Sequence, residues 1–100
     1  MSRRDARRVT DWELRKIFND GDYYAKVLRN ELVAIVERDG LASPAMNQPP
    51  GTRSQTVRYY DRHSGPVAFV HQFVLPDGSL GASGKPDPKR IWFENEILYC

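Results

Sequence analysis

The spacing of the apolar residues changes near the middle of the chain, and this change constrains the fold more than any other feature. Before residue 40 the apolar side chains recur at steps of three and four, which is the period of a helix. From residue 55 onward they alternate with polar ones, which is the period of a β-strand. A chain of 100 residues is enough for one domain. The sequence therefore predicts a single α+β domain over residues 1–100, with helices before strands.

The first half predicts a helical hairpin. Thr10 and Glu13 have the spacing of a capping box, and the apolar residues that follow have helical spacing up to a stop at Asn19-Asp20-Gly21. Asp22 can cap a second, longer helix that ends at Asp39-Gly40. Its stripe comprises Tyr24, Val27, Leu28, Leu32 and Ile35, interrupted by Glu31.

The second half predicts an antiparallel sheet of four or five strands, with the helical hairpin packed on one face. Strands are expected at 56–60 and 66–75, and the second is apolar on both faces, as a central strand is. A tight turn at Pro76-Asp77-Gly78 leads to a short returning strand over 79–82. Residues 91–93 and 97–99 predict a last hairpin that turns at 94–96.

Two segments are expected to lie outside the regular structure. Residues 1–9 contain Arg3, Arg4, Arg7 and Arg8 and predict a disordered basic tail. Residues 41–55 contain three prolines and predict a flexible connector between the helical and sheet halves. Apolar runs are too short to cross a membrane, no signal peptide is apparent, and the only cysteine is Cys100. A cytoplasmic protein is therefore expected.

The loop over residues 78–90 has the most unusual composition in the chain. Glycine and serine amides followed by cations are typical of an anion-binding loop, and the residues proposed to bind are Gly81, Ser83, Gly84, Lys85, Lys89 and Arg90. The spacing does not match a nucleotide-binding P-loop, since Pro86 occupies the place of the hydroxyl residue. The alternative interpretation is that the glycines form bulges at a sheet corner and that Pro86 and Pro88 stiffen a connector.

A histidine and an arginine–tyrosine pair complete the candidate residues. His71 lies within a predicted strand, where it is either a general acid or base or a core residue with a hydrogen-bond partner. Arg58 and Tyr60 lie on the same face of a predicted strand, where an exposed aromatic ring beside a cation can stack on a base. Neither metal-ligand spacing nor a cofactor motif is present, so no metal and no cofactor is expected.

Three functions remain open from the sequence. The first is a binding module whose basic N-terminus and 78–90 loop engage a phosphate-bearing or acidic partner, most plausibly nucleic acid, with an acidic protein surface as the other partner. The second is a small metal-independent ribonuclease, in which His71 or a tyrosine is the base while Arg58, Lys85 and Lys89 stabilise the phosphorane. Its three named catalytic residues are His71, Arg58 and Lys85. The third is a protein-interaction or inhibitor module that docks through the 41–50 loop and a terminal edge strand.

Overall fold

Two helices pack on one face of a six-stranded sheet in the computed structural model, which describes residues 5–81 and 83–100. In chain order the elements are β1 (Asp5–Arg8), α1 (Asp11–Asp20), α2 (Tyr23–Leu28), β2 (Val33–Leu41), a 3-10 turn (Pro44–Met46), β3 (Arg53–Asp61), β4 (Gly65–Val74), β5 (Asp87–Phe93) and β6 (Glu96–Tyr99). The strand order is β1-β6-β5-β4-β3-β2, and only β1 and β6 run parallel. The α+β class is confirmed. The finer prediction, a helical hairpin on four or five strands, is wrong, because the sheet has six strands and α2 ends at Leu28.

Helix α1 forms as its sequence predicts. The Thr10 hydroxyl accepts a hydrogen bond from the Glu13 N–H at 3.1 Å, which satisfies one of the helix's unpaired donors. The Gly21 N–H donates to the Ile17 carbonyl at 3.0 Å and ends the helix. Leu14 and Phe18, one turn apart, are buried against the sheet, so α1 anchors the helical layer.

The predicted second helix is wrong beyond Leu28. Asn30 takes a left-handed backbone conformation with φ of 63°, which interrupts the helix. The β-branched residues that follow enter β2, where Val33 pairs with Tyr60 and Val36 with Val57. Apolar residues at this spacing fit a helix stripe as well as a strand, and the long antiparallel contact with β3 decides between them.

The predicted tail and connector also differ from the structure. Residues 5–8 form β1, where the Arg7 Nε lies 2.7 Å from the Glu96 carboxylate, whereas residues 1–4 lie outside the described part. Within 41–55, β2 continues to Leu41 and β3 begins at Arg53. The Ala42 N–H donates to the Thr52 carbonyl at 2.9 Å, so this segment closes a hairpin between paired strands.

The strands of the second half are placed as predicted. The predicted strand 56–60 lies within β3, and β4 lies between β3 and β5 inside the sheet. The returning strand over 79–82 reduces to one bridge between Val74 and Leu80, and Ala82 is outside the described residues. The final hairpin forms as β5 and β6. Among the described residues, no helix has both the length and the apolar character that a membrane crossing needs.

Candidate functional site

The two faces of the sheet differ in what they carry. Val57, Val70, Ile91 and Leu98 point to the side of the helices and are buried in one cluster with residues of α1. Successive side chains of a strand point to opposite faces, so the residues between them lie on the other side. We call that second side the open face. Residues directly opposite each other on neighbouring strands share a face, so the register identifies its members.

One row of paired residues crosses the open face from edge to edge. In the order β2-β3-β4-β5-β6-β1, it consists of Ile35, Arg58, Phe69, Arg90, Tyr99 and Arg8. After the first position, arginine and an aromatic residue alternate along the whole row. At about 4.8 Å between neighbouring strands, the row is about 24 Å long. We call it the arginine–aromatic row.

Two arginines of the row, Arg8 and Arg58, contact aromatic rings. The Arg8 Cζ lies 5.7 Å from the centre of the Tyr99 ring, which is a cation–π distance. The Arg58 Cζ lies 5.7 Å from the centre of the Tyr60 ring, and its Nη1 donates to the Tyr60 hydroxyl at 2.9 Å. Trp92 lies on the same face, two residues after Arg90, and is half-buried. Stacking surfaces and cations therefore lie side by side.

The charges along the row are unequal. The Arg58 Nη2 lies 2.6 Å from the Glu37 carboxylate, so the charge of Arg58 is largely neutralised. Its hydrogen bond to Tyr60 and the nearby Glu37 raise the pKa of Arg58, which therefore stays cationic. Within residues 5–81 and 83–100, no carboxylate oxygen lies within 4.0 Å of the Arg8 or Arg90 guanidinium. These two arginines offer uncompensated charge.

A cleft of about 420 Å³ lies between α1, the second half of β4 and the start of β5. Its polar lining includes Arg15, His71, Ser83, Lys85 and Asp87, and its apolar lining consists of Phe73, Pro86 and Pro88. We call it the His71 cleft. Arg15 belongs to α1, on the helix side, whereas His71 follows Phe69 by two residues on β4 and lies on the open face, so the cleft has walls from both sides of the sheet. Of the three residues proposed for a ribonuclease, the cleft brings together His71 and Lys85 but not Arg58.

His71 has a hydrogen-bond partner that the sequence did not reveal. Its Nε2 lies 2.7 Å from the Ser54 hydroxyl on β3, and its ring stands edge-on to Phe73 at 4.8 Å between centres. Burial lowers the pKa of His71, and the positive charge of Lys89 lowers it further against the opposing effect of Asp87. The imidazole is therefore neutral at neutral pH. Only the pairing of β3 with β4 brings Ser54 within reach.

Asp87 joins two cations at the rim of the His71 cleft. Its carboxylate lies 2.8 Å from the Lys89 Nζ and 3.4 Å from the Arg15 Nε. Burial alone would raise the pKa of Asp87, but the hydrogen bonds and charges of Lys89 and Arg15 outweigh it and hold that pKa below its usual value. Lys89 was predicted to bind an anion, but its ammonium group is already paired with the Asp87 carboxylate.

Several main-chain amides of the glycine-rich loop have hydrogen-bond partners within the described residues. The Gly81 N–H donates to the Phe73 carbonyl at 2.9 Å, and the Gly84 N–H donates to the Gly81 carbonyl at 3.0 Å. The Lys85 N–H lies 3.4 Å from the Ser83 hydroxyl oxygen. A side chain at Gly81 would press on the Leu75 and Phe73 side chains at 3.2 and 3.4 Å. These contacts favour the interpretation in which the glycines shape a sheet corner, and they leave the Lys85 side chain as the loop's cation.

The predicted binding residues thus divide between two places. Arg58, Tyr60 and Arg90 lie on the open face, whereas Gly81, Ser83 and Lys85 line the His71 cleft. The sequence placed Arg8 in a basic N-terminus that engages a phosphate-bearing partner, but it did not identify Phe69 or Tyr99 as site residues. Strand alternation placed Phe69 on the face of His71, but the cross-strand register that completes the row is not readable from one sequence.

Neither a metal-binding cluster nor a known relative narrows the function. Among the described residues, no group of three or more histidine, cysteine, aspartate or glutamate side chains is placed to hold a metal ion. Comparisons with protein-family models, curated proteins and solved structures each returned no significant match. A function must therefore be inferred from the geometry of the open face and of the His71 cleft.

Proposed function

We propose that the protein binds single-stranded nucleic acid on the open face of its sheet. The observation that carries this proposal is the arginine–aromatic row, which sets three arginines and two aromatic rings in alternation across five neighbouring strands. Base-on-aromatic stacking contributes about 1–3 kcal/mol per base and does not depend on sequence. Arginines between the rings are positioned for the phosphates that connect successive bases.

The row favours a single strand over a duplex and over an acidic protein. Bases in a duplex are stacked on each other and paired, so their faces are not available to Phe69 or Tyr99. An acidic protein surface would use the arginines but would leave the aromatic rings without a matching partner. The net charge of +2 is small, so stacking is expected to supply a larger share of the affinity than it does in strongly basic proteins.

The chain contains two tryptophans, which permit a label-free binding assay. Trp12 is 65% exposed on α1, the helix side, whereas Trp92 is on the open face. In a Trp12→Phe background, Trp92 is the only tryptophan and reports on the open face. We expect its fluorescence to be quenched when an RNA or DNA single strand of about twelve nucleotides is added, which is within the range that such sites cover. The same sequence as a duplex should quench it less.

Matched variants test whether the row is responsible. Arg90→Gln removes an uncompensated charge from the row and is expected to weaken single-strand binding, whereas Arg29→Gln removes a charge paired with Glu31 on the helix side and is expected to have no effect. Absence of binding at low salt would reject the proposal. Equal weakening by the two variants would also reject it, because binding would then follow total charge and not the open face.

The ribonuclease alternative receives less support. Its three proposed residues are divided, because Arg58 is tied to Glu37 and Tyr60 while His71 and Lys85 line the cleft. The neutral imidazole of His71 suits a general base, but its Nε2 already contacts the Ser54 hydroxyl. We therefore propose nucleic-acid binding in preference to ribonuclease activity.

A further inference from the structure

We infer that the His71 cleft binds a nucleoside phosphomonoester, supplied either as a free nucleoside monophosphate or as the phosphorylated end of a strand that lies on the open face. The strand end as a source rests on the proposed function, whereas the free nucleoside monophosphate does not. The cleft volume of about 420 Å³ falls within the range of about 300–1,000 Å³ that is typical of small-molecule sites.

The lining of the cleft has the two chemistries that such a ligand requires. Arg15 and Lys85 supply guanidinium and ammonium donors for phosphate oxygens, which are charge-assisted hydrogen bonds. Phe73, which is half-buried, supplies flat apolar surface for a base or sugar, and Pro86 and Pro88 back the wall beside it. Pro86 and Pro88 are buried, so these walls are held in place by the fold.

The charges of the cleft lining favour an anion. Asp87 shares the cleft with Arg15 and Lys85, so the lining carries a net charge of +1 with His71 neutral. An incoming phosphate would compete for the Arg15 guanidinium with two carboxylates, that of Asp87 at 3.4 Å and that of Asp11 at 3.0 Å. The Asp87 carboxylate is also paired with Lys89. Its negative charge therefore stays partly neutralised when the Arg15 guanidinium binds a phosphate.

Continuity with the open face explains why a strand end is one of the two sources. Phe69, His71 and Phe73 follow one another on the same face of β4, two residues apart. Two residues of strand span about 7 Å, so the row and the cleft are separated by little more than one side chain. A strand stacked on Phe69 can therefore place its terminal nucleotide against His71 and Phe73.

Titration calorimetry with the full chain tests the cleft without reference to the open face. Adenosine 5′-monophosphate is expected to bind, and adenosine and inorganic phosphate are each expected to bind at least roughly tenfold more weakly, since each lacks one of the two recognised parts. Lys85→Ala should weaken adenosine 5′-monophosphate by roughly tenfold through loss of a charge-assisted contact. Lys16→Ala is the matched control, because Lys16 lies on α1 and is paired with Asp20.

Oligonucleotides distinguish the two sources. A single strand of about twelve adenylates is compared with and without a terminal phosphate, at the 5′ and at the 3′ end, by Trp92 fluorescence in the Trp12→Phe background. Tighter binding of one phosphorylated strand, lost in Lys85→Ala, identifies a strand end. Binding of the mononucleotide with no preference for a phosphorylated strand identifies a free nucleotide.

The outcomes separate the two proposals. Binding of the mononucleotide with no binding of any oligonucleotide upholds the cleft and rejects the open-face function. Binding of oligonucleotides without preference for a terminal phosphate, together with no detectable binding of adenosine 5′-monophosphate, rejects the cleft and upholds the open face. Equal affinity for adenosine 5′-monophosphate and inorganic phosphate, unchanged by Lys85→Ala, also rejects the cleft.

Discussion

Replacement of Glu37 by glutamine should strengthen nucleic-acid binding and make it more sensitive to salt. The Glu37 carboxylate neutralises Arg58, the one arginine of the row with an acidic partner at 2.6 Å in the described structure. Both side chains are about one-third exposed, at 32% and 35%, so their ion pair contributes little to folding and its loss should leave the fold intact. The variant therefore frees one cation for phosphate without adding a new one.

The expected size follows from the number of uncompensated arginines in the row. Arg8 and Arg90 give two in the natural chain, and Glu37→Gln gives three. With a slope of about −0.7 per charge for single strands, log K against log salt should change from about −1.4 to about −2.1. Between roughly 50 and 200 mM salt, binding should then weaken about sevenfold in the natural chain and about eighteenfold in the variant. Arg90→Gln should reduce the slope to about −0.7.

Fluorescence titrations at four or more salt concentrations measure these slopes. Glu31→Gln is the matched control, since it removes a carboxylate paired with Arg29 on the helix side and changes the net charge by the same amount. If Glu37→Gln and Glu31→Gln give the same slope, affinity follows net charge and the row has no special part in binding. A slope for Glu37→Gln no steeper than that of the natural chain would equally refute a role for the row.

Three further predictions concern the fold that holds the site. Thr52→Val should raise the free energy of unfolding by about 1 kcal/mol, because the buried Thr52 hydroxyl has no hydrogen-bond partner in the described structure; an unchanged or lower urea midpoint would contradict this. Leu14→Ala should lower the free energy of unfolding by about 2–5 kcal/mol, since Leu14 is fully buried between α1 and the sheet. A loss below about 1 kcal/mol would contradict that placement. The depressed pKa of His71 means that the unfolded chain takes up more protons once the pH falls below about 6.5, so stability should decline from pH 7 to about pH 5. The urea midpoint of His71→Gln should decline less over that pH range than the midpoint of the natural chain. An equal decline in both would contradict this role of His71.

The elements that sequence reasoning located correctly are those in which local signals and tertiary packing agree. Thr10 and Glu13 define the start of α1 by a contact of three residues' separation, and the structure contains that contact. The apolar run between two turn signals located β4, although a strand that is apolar on both faces did not show that Ala68 and Val70 would form its buried side. In both cases the information needed is contained within one short segment.

The segment over residues 33–41 was misassigned because its pattern fits two structures. Ile35 continues the helix stripe that starts at Tyr24, and Val36 widens it, yet both are β-branched residues that suit a strand. The deciding contact is with β3, about 20 residues further along the chain. A non-local pairing of this kind leaves no mark in the local sequence.

Sequence reasoning found only part of the candidate site, because the rest of the site also depends on non-local strand pairing. Arg58, Tyr60 and Arg90 were identified from local composition. The alignment of Arg58 and Arg90 with Phe69, Tyr99 and Arg8 depends on three antiparallel registers and one parallel one. A shift of one residue in any strand would send its member of the row to the opposite face. The row is therefore a property of the assembled sheet, and no single segment contains it.

The edges of the sheet offer a further reason to place binding on its face. An unpaired edge strand invites pairing with another chain, and native sheets oppose this with bulges, charges and short strands. The outer strand β2 leaves Ile35 and Val36 about half exposed, but its register shifts at Glu37, and the next two residues are also charged. At the other end, β1 has four residues, of which three are charged. Both edges thus have the features that discourage strand addition. This argues against docking of a partner along a terminal edge strand, and it leaves the open face as the broad surface of the sheet on which a ligand can lie.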